Sequence, residues 1–134
     1  MQLKYVVLIM FFIRLLAPLA SASSMPPIEE YEEHDVSGFT VLVSPKVKSK
    51  PELYKEVLKQ VSIDLKAIVL KVPAESIGYL RDTRIWFEDG MPVAGLNFLF
   101  FNDSKRYTKE HGLVPESYAG VISGNSREYI AMSK

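Results

Sequence analysis

Tyr54, Leu58, Val61, Leu65, Ile68 and Val72 recur at spacings of 4, 3, 4, 3 and 4, and no other feature so narrows the folds open to this chain. That rhythm is one stripe along an α-helix, and Leu53 and Val57 widen it. Lys55, Glu56, Lys59, Gln60, Asp64 and Lys66 fall on the opposite side. A helix of about five turns with a single apolar face needs a second layer to cover it. Its start reads as Ser49-Lys50-Pro51-Glu52, an S-x-x-E capping box with proline in the first turn. It ends before Pro73, because the residue ahead of a proline is driven out of the helical region. The mixed charges on its polar face favour packing against a core over lying on a membrane or in a partner's groove.

The covering layer is predicted from the β-rich runs on either side. Gly38 to Ser44 alternates, placing Phe39, Val41 and Val43 on one face and Thr40 and Leu42 on the other, and Pro45 ends it. Ala74 to Leu80 reads as a short helical turn interrupted by Gly78. Thr83 to Glu88 is the next strand, and Asp89-Gly90 is a turn dipeptide from which a return strand runs past Pro92 to Phe101. Trp86, Phe87, Phe98, Phe100 and Phe101 read as core. Asn102-Asp103-Ser104 breaks that run, a short helix from Lys105 stops at Gly112, and Ala119 to Ser123 forms a further strand after Pro115. Gly124-Asn125 precedes another helix. The expected fold is α+β: one mixed four-stranded sheet, one long helix packed on a face, and one or two short helices.

Ahead of that domain lies a leader. Lys4 precedes the unbroken apolar run Tyr5 to Ile13, and Ala20-Ser21-Ala22 is a small-x-small site, so cleavage is expected after Ala22. Arg14 interrupts the apolar run well short of the roughly 20 residues a spanning helix needs. Residues 1–22 are therefore read as a signal peptide, 23–37 as a mobile acidic arm and 38–134 as one small domain. Lys4 and Arg14 leave with the leader, so 16 basic and 16 acidic residues become 14 and 16, a net charge of −2. Such a balance offers no footprint for nucleic acid or an anionic membrane. The chain has no cysteine, which removes disulfides, thiol catalysis and Cys-ligated metal and leaves stability to the core.

Motifs that carry chemistry are sparse. Only His34 and His111 are present, without H-x-x-x-H spacing, so a helical zinc site is not encoded. Glu110-His111 could act as an acid–base pair, but His111 before Gly112 fits the electrostatics of a helix C-terminus. The acids Glu29, Glu30, Glu32, Glu33 and Asp35 around His34 could hold a divalent cation loosely or simply be a solvated terminus. No G-x-S-x-G elbow or glycine-rich phosphate loop is present. Asn102-Asp103-Ser104 is an N-x-S sequon and equally a helix-capping trio, so Asn102 is a candidate glycosylation site. No catalytic, cofactor-binding or metal residue is assigned.

The stretch from Gly38 to Tyr129 resembles the N-terminal half of a family of secreted proteins related to zinc metallopeptidases, whose catalytic domains end in an HExxH helix. The likeness rests on the long helix followed by Thr83-Arg84-Ile85-Trp86-Phe87-Glu88, on Phe101 to Thr108 ending at Gly112 against a Y-H-P-S-x-x-W-L-x-x-x-G segment, and on Leu113 to Val121 leading to Gly124-Asn125-Ser126-Arg127. The family His is Asn102 here and its Pro is Asp103. In the family the zinc-binding helix comes soon after the position of Tyr129, whereas this sequence reaches only Lys134, so no metal or catalytic residue carries over. The resemblance implies a secreted, non-catalytic domain that acts by binding an extracellular partner or as a structural component. Two other functions stay open: a matrix or secretion-product protein whose acidic arm contacts cations, and a hydrolase with an unrecognised site or one completed by another chain. No cofactor, nucleic acid or membrane contact after cleavage is expected.

Overall fold

The structure is a computed structural model and describes residues 25–91, 98–100 and 112–134. A five-stranded mixed sheet runs in the order β1-β2-β3-β5-β4. β1 (Glu32–Val36) and β2 (Phe39–Val43) form an antiparallel hairpin. Its two-residue turn, Ser37-Gly38, has positive φ at both positions (57° and 84°), the backbone that matches strand twist in tight hairpins. Arg81 pins the turn from outside, donating through Nε and Nη2 to Ser37 O at 3.1 and 2.9 Å.

β2 pairs in parallel with β3 (Arg84–Phe87), and β3 in parallel with β5 (Gly120–Ser123). β4 (Phe98–Phe100) closes the far edge, antiparallel to β5. The α+β class, the mixed sheet with its four expected strands and the long helix on one face are all present. Two features differ from expectation. The strand after Asp89-Gly90 does not return beside β3; β5 lies between them. Ile122 and Ser123 of β5 are buried while Val121 is half-buried, and a strand apolar on both faces gains most in the middle of a sheet. The other difference is β1. Residues 32–36 of the expected mobile arm pair along the whole of β2, because Val36, Glu32 and His34 find partners on the helix side.

Between β2 and β3 run three helices, α1 (Pro45–Lys48), α2 (Pro51–Lys71) and α3 (Ala74–Arg81). Ser44 caps α1, its Oγ accepting from Val47 N at 3.4 Å. Ser49 does not cap α2. It sits in the right-handed helical region at the end of α1 and donates to Lys46 O at 2.9 Å, so Lys50 takes the cap position without a side-chain bond. An N-cap requires extended backbone, which a residue closing the preceding helix does not have. At the other end Val72 is extended ahead of Pro73, as anticipated. α3 runs unbroken through Gly78. The final helix, α4 (Ser126–Met132), is capped by Asn125 Oδ1, which accepts from Arg127 N and Glu128 N at 3.2 and 3.4 Å.

Each face of the sheet has its own core. On one, Phe39, Val41, Val43 and Phe87 meet Val57, Val61 and Leu65 of α2 and Tyr129 and Ile130 of α4. The buried line on α2 is thus rotated from the sequence stripe: Ile68 is 37% exposed and Tyr54 lies at the flank. On the other face Leu42, Trp86 and Ile122 are covered by Met25, Tyr31 and Leu113. Met25 N donates to Gly112 O at 3.0 Å and the Tyr31 ring meets Trp86 edge-on at 5.0 Å. Trp86 and Phe87 are core, as expected. Residues 25–36 form a structural strap across the sheet's second face and along its edge. Among the described residues no helix is long and apolar enough to cross a membrane.

Candidate functional site

The three parallel strands all end on the same edge, the position where open α/β sheets carry their ligands. Ser44 follows β2, Glu88 and Asp89 follow β3, and Gly124-Asn125-Ser126 follows β5. Backbone bonds tie the edge together: Ser44 N to Phe87 O at 3.0 Å, Glu88 N to Ser123 O at 2.8 Å, and Ser126 N to Glu88 O at 2.9 Å. Ser126 Oγ donates to the same Glu88 carbonyl at 2.7 Å.

Glu88 is the central group. It is 3% exposed, and its Oε1 accepts the Tyr31 hydroxyl from the strap. Burial pushes its carboxyl above the usual carboxylate range, opposed by bonds from Tyr31 and Ser44 and by the charge of Lys46. The Tyr31 phenol is held protonated, first by burial and then by the Glu88 charge beside it. Asp89, also buried, forms an ion pair with Lys50 and has Arg127 Nε at 3.7 Å. Lys50 and Arg127 line an open groove of about 430 Å³ with Pro51, Glu52, Leu53 and Glu56. Beneath the edge, Ser123 Oγ is buried and has no hydrogen-bond partner among the described residues.

Of the histidine and carboxylates singled out in the sequence, His34 and Glu32 meet, Nε2 to Oε1 at 3.2 Å, and the others do not join them. Period-two alternation sends Glu32 and His34 toward α2 and leaves Glu33 and Asp35 exposed. Among the described residues no three His, Asp or Glu side chains form a metal-sized group. Asn102, Asp103, Ser104, Glu110 and His111 lie outside the described residues, as do Ala22 and the leader. Glu88, Asp89, Tyr31 and Tyr54 were not anticipated as polar centres. The available signal for the first two was an acid pair directly after the apolar run Ile85-Trp86-Phe87, where a central strand meets its crevice.

No family model, curated protein or solved structure matches this chain.

Proposed function

We propose that this chain is an exported, non-catalytic binding domain acting on an extracellular partner, with kinship to zinc metallopeptidases resting on the residues quoted between Gly38 and Tyr129. The observation that supports it is the use of the acids at the crevice. Glu88 is enclosed by Tyr31 and Ser44, and Asp89 by Lys50, so both carboxyls hold strap, strand ends and helix start together. Export rests on the Tyr5 to Ile13 core and the Ala20-Ser21-Ala22 site.

One observation favours a second reading. A buried carboxyl with a raised pKa at the end of a central parallel strand is also what a general acid requires, which is the hydrolase alternative with Glu88 as its acid. Secreted protein, verified by mass to begin at Ser23, would be assayed against peptide, ester and glycoside substrates alongside E88Q. The binding reading expects no turnover in either protein and a folded E88Q. Turnover that E88Q abolishes, with its unfolding midpoint retained, would overturn that reading and establish the hydrolase.

A further inference from the structure

β1 is an outer strand of the sheet, and among the described residues no strand pairs with its free side. The hairpin register fixes which of its groups face that side. Across a two-residue turn the flanking pair, Val36 and Phe39, exchanges both backbone bonds, and hydrogen-bonded pairs recur at every second residue. Val36, His34 and Glu32 therefore turn their N–H and C=O toward β2, while Glu33 and Asp35 turn theirs outward. The side chains of Glu33 and Asp35 are exposed, on the face away from α2. Asp35 Oδ1 accepts from Gly38 N at 3.2 Å, which steadies the end of the strand. Glu32, on the α2 face, is already held by Lys48 and Tyr54.

An outward row of backbone donors and acceptors is a template for one more strand. The charge beside it decides which strand. A second copy of this chain laid antiparallel on β1 would set acid directly across from acid, which is unfavourable. An extended segment with basic residues two apart sets each of them opposite Glu33 or Asp35, because side chains alternate in step across a ladder. We propose that β1 accepts an extended cationic segment of a partner protein as a sixth, antiparallel strand, its basic side chains paired with Glu33 and Asp35. Backbone bonds at those two residues hold the segment, and the two carboxylates select it. The edge is only five residues long, so the contact is short, reversible and weakened by salt. It lies apart from the crevice and stands whether or not Glu88 supports turnover.

The probe is a capped seven-residue peptide alternating threonine and lysine, titrated into isotope-labelled protein beginning at Ser23 and followed by NMR and amide exchange. Saturable one-to-one binding is expected, with the Glu33 and Asp35 amides shifting and exchanging more slowly. The amides of Glu32, His34 and Val36, already bonded to β2, should gain no protection. E33K should weaken binding by about 2- to 30-fold, the range for turning an attractive cross-strand pair into a repulsive one. D35N, which keeps an acceptor for Gly38 N, should weaken it less, and E75K, on α3, should bind as wild type does. Thermal unfolding of each variant confirms that it is folded. The same peptide N-methylated at its lysines cannot donate to the ladder and should not bind. Absence of saturable binding would mean that the acids only keep the edge unpaired and would overturn the proposal. Equal binding of the N-methylated peptide, or of a peptide alternating threonine and glutamate, would overturn it too.

Discussion

Replacing Tyr31 by phenylalanine is expected to destabilise the domain by an amount that grows with pH. The ring retains its edge-on contact with Trp86 at 5.0 Å, so the substitution removes the hydroxyl that donates to Glu88 and little else. Burial raises the Glu88 pKa and the Tyr31 bond lowers it. A carboxyl raised in the folded state contributes its full stability below the ordinary value of 4.5 and loses that contribution as pH rises through the folded value. Without the hydroxyl the folded value rises further, and the buried charge at neutral pH is short of one donor. At pH 4, below the ordinary value, the bond lost joins two neutral groups, worth about 0.5–1.5 kcal/mol; to the extent that Glu88 ionises as the pH rises to 7.5, it serves a charge, worth about 1.5–3 kcal/mol. Urea unfolding followed by fluorescence of Trp86, the single tryptophan, at the two pH values measures the difference. Titrating groups shared by both proteins cancel. An equal penalty at both values, or a larger one at pH 4, would refute the account of Glu88.

Two further outcomes follow from packing. Gly120 to alanine would place a Cβ 2.8 Å from Trp86 Cδ1 and 3.1 Å from the Arg84 carbonyl; with Trp86 fully buried and the backbone fixed in β3, a loss of about 1–3 kcal/mol is expected in thermal unfolding. Removing residues 23–31 strips Met25 and Tyr31 from the second face of the sheet. At about 1.5–3 kcal/mol for each fully buried large side chain, the shortened chain should unfold at markedly lower urea concentration; an unchanged midpoint would mean the strap contributes nothing.

The long helix, its stop at Pro73, the alternation of β2 and the start of α4 after Gly124-Asn125 were legible in the sequence because each depends on neighbours within a few residues. Backbone preference and side-chain period act locally, so Val72-Pro73 and Phe39 to Val43 declare themselves wherever the chain goes. The α+β class follows from them, since a one-faced helix beside apolar strands has few ways to bury both. Other features depended on partners far away in the chain. Glu32 to Val36 looks like a solvated acidic run until Tyr54 and Lys48 neutralise one face and β2 supplies the ladder. The insertion of β5 between β3 and β4 was decided by which strand could bury both faces, and the Asp89-Gly90 pair could not express that. Glu88 became a buried polar centre only in the folded sheet, where Tyr31, 57 residues earlier, donates to it. Sequence determined which segments would be helix or strand; desolvation and long-range pairing, which exist only in the folded chain, decided which polar groups are left with something to do.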